Sequence, residues 1–132
     1  IDGREFSIGV YQQNGITRAL LPTEIISKNS FFDFEAKYTD GVTNEITPAD
    51  ISPELLAVMQ KKTENIYQAL NCFGMVRVDY ILNKHNDQLY FLEVNTMPGQ
   101  SENSLIPQQV RAAGMTLKEF YQIILDEDFN RK

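Results

Sequence analysis

Four polar side chains in the second half of the sequence have the types and the spacing to hold a metal ion beside a reacting phosphate. Glu93 and Asn95 close an apolar, strand-like run, and Arg77 and Asp79 lie within an earlier run of the same kind. Residues two apart on a strand point to the same face, so each pair shares a face. Burying a lone carboxylate costs several kcal/mol unless it is paired or bound to a cation.

The two runs are predicted to form one antiparallel hairpin over residues 75–95, with its tip in the turn-forming sequence NKHND. The residue numbers of paired positions in such a hairpin have a constant sum, here 172 (79 with 93, 77 with 95). Asp79 is therefore expected opposite Glu93. Arg77 is expected opposite Asn95, so that all four side chains form one patch.

Two opposed carboxylates destabilise a sheet unless a cation lies between them. Oxygen ligands without cysteine or paired histidine favour magnesium or manganese rather than zinc. A carboxylate that bridges two such ions would place both beside a phosphate chain, as in metal-assisted phosphoryl transfer. The alternative is an exposed salt-bridge cluster on a hairpin, which is a common surface feature.

The residues after the hairpin favour a site. Pro98 fixes the backbone, and Gly99 allows another group to approach the main chain closely. Ser104 then begins a predicted helix, whose first amides favour an anion. A carboxylate patch, a glycine turn and a helix start within a short stretch together predict a binding site for a metal and an anion.

The remaining elements follow from apolar periodicity and turn residues. Asn14-Gly15 predicts a tight turn between two strands, the first with Phe6, Ile8 and Val10 on one face. Residues 28–50 show no period and are expected to form a lid-like loop. The other predicted elements are a strand at 23–27, a helix capped by Ser52 with Pro53 in its first turn, and helices over 104–126.

Composition excludes several classes of protein. The chain has 132 residues, 42% hydrophobic and 23% charged, which is typical of one globular domain. A net charge of −6 argues against nucleic acid as a partner, and no apolar run is long enough to cross a membrane. The single cysteine, Cys72, excludes a disulfide framework within the chain and fits a reducing, cytoplasmic compartment. Because no methionine opens the chain, we expect a piece of a longer protein.

The sequence resembles the D-alanine–D-alanine ligases of the ATP-grasp superfamily in their carboxyl-terminal part. The resemblance rests on VRVDYIL, on LYFLEVNTMPGQSENSLIPQQVRAAGM, and on REFSIGVY and FFDFEAKY earlier in the chain. It implies an α+β fold over residues 1–132, with a mostly antiparallel sheet and helices packed on one side. It also implies a ligase that joins two D-alanines through an acyl phosphate for peptidoglycan, with ATP and two Mg²⁺ or Mn²⁺ ions.

The resemblance implies roles for particular residues. Asp79, Glu93 and Asn95 would hold the metal ions, with Glu93 bridging them. Arg77 and the amide of Gly99 would be catalytic, stabilising the charge that develops at the reacting carbon. The residues that would bind the nucleotide are Glu5 and Lys37, and those that would bind the second D-alanine are Tyr38, Ser104 and Leu105.

Other features of the sequence leave alternatives open. Residues 100–103 read QSEN, where the family usually has a large apolar residue and then threonine, which leaves the acceptor preference open. The family's amino-terminal part, which binds the first D-alanine and grips ATP, is expected as a missing partner from the same polypeptide, in a parent compatible with a homodimer. The alternatives are another ATP-grasp carboxylate–amine ligase, and a non-catalytic binding module with a surface ion-pair hairpin.

Overall fold

One antiparallel sheet carries the architecture. The computed structural model describes residues 3–27, 43–101 and 103–130, and within these ranges six strands form a single sheet. In chain order the strands are β1 (Gly3–Gln13), β2 (Ile16–Ala19), β3 (Thr23–Ser27), β4 (Thr43–Ile46), β5 (Val76–Asn83) and β6 (Leu89–Asn95). Their spatial order is β4-β3-β1-β5-β6, with β2 beside the end of β1. Every pairing is antiparallel, which confirms the predicted fold class.

Three helices in the described ranges cover the sheet, and their first residues explain where they begin. They are α1 (Pro53–Ala69), α2 (Leu105–Ala112) and α3 (Leu117–Asn130). The Ser52 hydroxyl accepts a hydrogen bond from the Leu55 amide at 3.1 Å, as predicted for the cap of α1. Before α3, Thr116 and Glu119 form a reciprocal capping box with two bonds of 3.0 Å. Those bonds lower the pKa of Glu119.

Alternation along β1 divides the core in two. Phe6, Ile8 and Val10 are buried on one face, as predicted, and pack with Met59 and Tyr67 of α1. On that face the alternate residues of β5 are also buried (Val76, Val78 and Tyr80). This apolar layer packs β1 and β5 together against α1.

The opposite face of β1 packs against the other two helices. Tyr11 contacts Phe120 of α3 edge-to-face with ring centroids 5.1 Å apart, and Ile106 and Val110 of α2 join the same cluster. The prediction that the helices pack on one side is therefore wrong. β1 is buried on both faces, and its residues alternate between two apolar clusters.

Two predicted segments differ in extent from the structure. Residues 43–46 form strand β4, which pairs with β3 in the register Glu24 with Ile46, whereas a loop was expected through residue 50. The sheet supplies the hydrogen bonds that make this short polar segment a strand. The two helices predicted over 104–126 are both present, but the second runs on to Asn130.

A buried hydrogen bond lies on the α1 face, away from α2 and α3. The hydroxyls of Thr63 and Tyr80 lie 2.8 Å apart, and both residues are fully buried. Burial raises the pKa of Tyr80 to about 12, although the bond to Thr63 opposes the shift.

Candidate functional site

The hairpin of β5 and β6 brings the four predicted site residues together in the expected register. Asp79 pairs with Glu93, and Arg77 pairs with Asn95. Nearer the tip, however, the pairs run Tyr80 with Phe91 through Leu82 with Leu89, one position away from the predicted sum. A bulge at Leu92 absorbs the difference. The predicted tip was half a residue away from the observed one, but the bulge restores the predicted pairing at the two carboxylates.

Asp79 is held from two directions. Its Oδ1 accepts a hydrogen bond from the hydroxyl of Ser7 on β1, which pairs with Asp79 across the strands. Arg77 approaches from the same strand, with Nε 3.1 Å from Oδ1 and Nη2 3.3 Å from Oδ2. The Asp79 and Arg77 side chains are 17% and 22% exposed, so this ion pair lies at the edge of solvent.

Glu93 and Asn95 differ from Asp79 in their contacts. Glu93 is exposed and has no hydrogen bond or ion pair to another described residue. The Asn95 side-chain oxygen accepts from the Met97 amide at 2.9 Å, which turns the chain out of β6. Glu93 is therefore a carboxylate placed directly opposite a second carboxylate without a described cation of its own.

The donor chemistry of these residues fits a hard divalent cation. Asp79 and Glu93 supply carboxylate oxygens, and Asn95 supplies an amide oxygen. The described ranges contain no group of three or more His, Cys, Asp or Glu side chains arranged to hold a metal. Magnesium bound by one or two carboxylates commonly completes its six ligands with water and substrate phosphates, and this incomplete set suits that mode.

Every predicted site residue that the structure describes lines one cleft. Its volume is about 770 Å³, within the usual range for small-molecule sites. Predicted site residues among its lining are Glu5, Arg77, Asp79, Glu93, Asn95, Gly99, Ser104 and Leu105. Lys37 and Tyr38 lie outside the described residues.

The described lining of the cleft is acidic. Glu5, Glu45, Asp79 and Glu93 contribute carboxylates, and Arg77 contributes the guanidinium of the same lining. A triphosphate would be repelled by this charge unless cations entered with it. The electrostatics therefore agree with the donor chemistry in favouring a metal-bound anion as the ligand.

Gly99 and Ser104 meet at the start of α2. A Cβ built on Gly99 would lie 2.9 Å from the Ser104 hydroxyl oxygen, closer than side chains tolerate. The Ser104 hydroxyl does not cap its own helix; it lies 2.7 Å from the Ser101 hydroxyl. The Ser104 hydroxyl thus lies beside Gly99 at the start of α2, the end of a helix that favours an anion.

Three residues of this region escaped the sequence-based prediction. Glu45 forms a row with Ile25 and Glu5 across β4, β3 and β1. Ser7 follows Glu5 on the same face of β1, and alternation alone could have placed it there. Gln109 is fully buried beneath α2, and no sequence signal distinguishes it from a surface glutamine.

Comparison with known proteins identifies similar chains. Residues 1–126 match the model of the family described as "D-ala D-ala ligase C-terminus". The D-alanine–D-alanine ligase of Azobacteroides pseudotrichonymphae genomovar. CFP2 is 47% identical over 126 residues, covering 96% of this chain and 39% of that protein. The chain therefore spans about two fifths of the length of the curated relative.

Solved structures share the fold. The VanG D-Ala:D-Ser ligase from Enterococcus faecalis superposes with a TM-score of 0.81 and 28% identity, over 96% of this chain and 36% of that one. The Bacillus anthracis D-alanine–D-alanine ligase complexed with ATP gives a TM-score of 0.74 and 27% identity, over 96% and 38%.

Proposed function

The chain belongs to the D-alanine–D-alanine ligase family through its carboxyl-terminal part, and on that premise we propose that it forms the metal- and acceptor-binding half of an ATP-dependent D-alanine–D-alanine ligase. The observation that carries this proposal is the single cleft shared by the opposed carboxylates, Arg77, Gly99 and the start of α2. The chain spans 39% of the Azobacteroides pseudotrichonymphae ligase, so we assign the remaining parts of the active site to other parts of a longer polypeptide.

The proposed reaction has two steps. A carboxylate oxygen of one D-alanine attacks the terminal phosphorus of ATP, the bond to ADP breaks, and an acyl phosphate forms. The amine of a second D-alanine, after losing a proton, attacks the acyl carbon, and inorganic phosphate leaves with the oxygen that had been phosphorylated. The products are ADP, phosphate and D-alanyl-D-alanine. In a bacterium the dipeptide would serve peptidoglycan synthesis in the cytoplasm.

The hairpin residues would manage charge in both steps. Asp79, Glu93 and Asn95 would hold Mg²⁺ or Mn²⁺, with Glu93 shared between two ions. When bound, the cations would neutralise the phosphate oxygens and so favour transfer. The Arg77 guanidinium, whose Nε lies 3.1 Å from Asp79, would donate to the acyl phosphate and to the charge that develops as the amine attacks.

The start of α2 would bind the acceptor. The hydroxyl of Ser104 and the amide of Leu105 would donate to the carboxylate of the second D-alanine, where the helix favours an anion. The nearby amide of Gly99 would donate to the developing oxyanion. We assign Glu5 to the ribose hydroxyls of ATP, Lys37 to its terminal phosphate and Tyr38 to the acceptor, following the family resemblance.

A second candidate is a ligase of the same chemistry with another acceptor. The similarity to a D-Ala:D-Ser ligase and the unusual residues 100–103 both favour it. The Gln100 side-chain oxygen accepts a 2.9 Å hydrogen bond from the Tyr121 hydroxyl, so Gln100 is anchored to α3 next to Gly99. A non-catalytic surface ion-pair hairpin is disfavoured because Glu93 has no cationic partner among the described residues.

The test uses the complete protein that contains this chain. Purified protein is incubated with ATP, Mg²⁺ and each of D-alanine, D-serine, D-lactate and L-alanine, and phosphate release is followed alongside mass analysis of the products. The proposal predicts release that requires D-alanine and yields D-alanyl-D-alanine. If phosphate is released from a mixture of D-alanine and D-serine but not from D-alanine alone, the second candidate is selected. If no phosphate is released with any acceptor, both candidates are contradicted.

None of the described helices is long and apolar enough to cross a membrane.

A further inference from the structure

A buried polar network connects α2 with Asp79 through strand β1. Its centre is Gln109, which is 0% exposed and makes three hydrogen bonds. The side-chain oxygen accepts from the Gly9 amide at 2.8 Å, and the nitrogen donates to the Ser7 carbonyl at 2.9 Å and the Thr23 hydroxyl at 3.0 Å. One side chain of α2 is thus bonded to both β1 and β3.

The same network continues to the proposed metal ligand. Ser7 is also 0% exposed, and its hydroxyl proton is donated to Asp79. A serine hydroxyl has one proton to donate, so this bond points the Ser7 side chain at the carboxylate. Neither Ser7 nor Gln109 lines the cleft, and neither can touch a ligand there.

We propose that Ser7 and Gln109 are positioning residues that hold Asp79 and the start of α2 in register with each other. This inference rests on the proposed function, in which Asp79 binds the metal and the start of α2 binds the acceptor.

The neutral charge of Ser7 makes it suited to this task. Asp79 has two supports, the Ser7 hydroxyl and the Arg77 guanidinium. Arg77 would share the Asp79 carboxylate oxygens with any cation held there, and the two positive charges would repel each other. Ser7 carries no charge, so it can keep its bond to Asp79 while Arg77 turns to the substrate. The orientation of the carboxylate then survives the change of partner.

Gln109 adds the link to the acceptor site. It lies little more than one helical turn after Ser104 and Leu105, the residues proposed to bind the acceptor. Its three hydrogen bonds fix the position of α2, and so of that first turn, relative to β1 and β3. Loss of these bonds should displace α2 as well as Ser7, whereas loss of the Ser7 hydroxyl should affect Asp79 alone.

The test compares buried hydroxyls on the two faces of the sheet in the complete protein. Ser7→Ala removes the bond to Asp79, and Ser7→Thr retains a hydroxyl. Thr63→Val is the matched control, since the Thr63 hydroxyl is equally buried but bonds Tyr80 on the far face. Mn²⁺ binding is measured by electron paramagnetic resonance with a non-hydrolysable ATP analogue present, so that turnover is not needed.

Ser7→Ala is expected to raise the Mn²⁺ dissociation constant about tenfold, the usual effect of losing a partner that orients a ligand. Ser7→Thr and Thr63→Val should stay within about twofold of the wild type, as neither removes that partner. The inference is overturned if Ser7→Ala and Thr63→Val bind Mn²⁺ equally well, or if Ser7→Thr binds as weakly as Ser7→Ala.

A second variant keeps the inference testable if the position 7 variants do not fold. Gln109→Met preserves the length of the side chain and removes its three hydrogen bonds. It should weaken Mn²⁺ binding and also raise the KM for the acceptor D-alanine about tenfold, because α2 is displaced. An unchanged acceptor KM in a folded Gln109→Met protein overturns the link to α2. Absence of ligase activity in the wild type would instead refute the proposed function, while the Mn²⁺ measurement would still decide the role of Ser7.

Discussion

Asp79 and Glu93 lie directly opposite each other on β5 and β6, and of the two only Asp79 has described hydrogen-bonding partners. Directly opposed side chains on antiparallel strands have Cβ atoms about 5 Å apart, and like charges there are unfavourable by up to about 1 kcal/mol. A sheet that only needed stability would place a neutral or cationic residue at position 93. This pairing is the structural basis for the proposed metal site.

Glu93→Gln in the complete protein should nearly abolish turnover without destabilising the fold. The substitution keeps the size of the side chain, removes the charge that a shared metal ligand needs, and relieves the repulsion with Asp79. We expect kcat to fall by about a hundredfold or more with Mg²⁺, while the urea midpoint stays equal or rises.

The matched control for that experiment is Glu54→Gln, since Glu54 is an exposed glutamate in the first turn of α1. Near-normal activity of Glu93→Gln, or an equal loss in Glu54→Gln, would show that Glu93 holds no metal.

Gly99→Ala should damage the acceptor site rather than the fold. The added Cβ would come within 2.9 Å of the Ser104 hydroxyl oxygen, so that side chain must shift. We expect the KM for the acceptor D-alanine to rise about tenfold or more, since the shifted hydroxyl is proposed to bind its carboxylate.

Gly114→Ala separates this effect from a general loss of stability. Gly114 has open space around it but a φ of +88°, so alanine there strains the backbone by about 1 kcal/mol without approaching the cleft. If both variants changed the KM alike, the contact between Gly99 and Ser104 would not be the cause.

The local elements could be predicted from the sequence, because each depends on neighbours in the chain. Alternation located β1, β5 and β6, and the Ser52 and Pro53 signals located α1. The placement of helices on both faces could not be predicted, since it depends on which buried face of β1 each helix meets. The bulge at Leu92 could not be predicted either, since no residue in β6 distinguishes a bulged strand from a regular one.

The candidate site divides in the same way. Arg77, Asp79, Glu93 and Asn95 could be grouped because one hairpin carries them all. Gln109 could not, because a glutamine on a short helix looks exposed until the sheet beneath it is known. Its burial is a tertiary property: three strand atoms satisfy its amide.

Tyr80 should make the fold sensitive to alkaline pH. Its folded-state pKa, raised to about 12 from 10.0 by burial, means that folding favours the neutral hydroxyl. That stabilisation, roughly 2–3 kcal/mol for such a shift, is fully present below pH 10 and is lost as the pH rises through about 12.

The measurement is the urea midpoint of the wild type and of Tyr80→Phe between about pH 9 and pH 12. The difference between the two should shrink or reverse as the pH rises, because phenylalanine does not titrate. Tyr90→Phe, at a residue 39% exposed, should follow the wild type. A constant difference between wild type and Tyr80→Phe would show that Tyr80 ionises normally.

Residues 1–132 produced alone should fold but should not ligate D-alanine. The two apolar clusters on the sheet are built from residues of this chain, whereas the first D-alanine and much of ATP are proposed to bind elsewhere in the longer polypeptide. Positioning cannot accelerate a reaction when one reactant has no site. Circular dichroism should show the fold, and phosphate release should not respond to D-alanine. Release at a rate near that of the complete protein would contradict the division of the active site proposed above.

The most direct test of the account follows an oxygen atom through the reaction. The complete protein is supplied with ATP, Mg²⁺ and D-alanine labelled with oxygen-18 in its carboxylate, and the phosphate and nucleotide products are analysed by mass spectrometry. An acyl phosphate predicts ADP, D-alanyl-D-alanine and inorganic phosphate that carries one labelled oxygen for each dipeptide formed. Unlabelled phosphate, or AMP with pyrophosphate, would contradict carboxylate phosphorylation in this cleft.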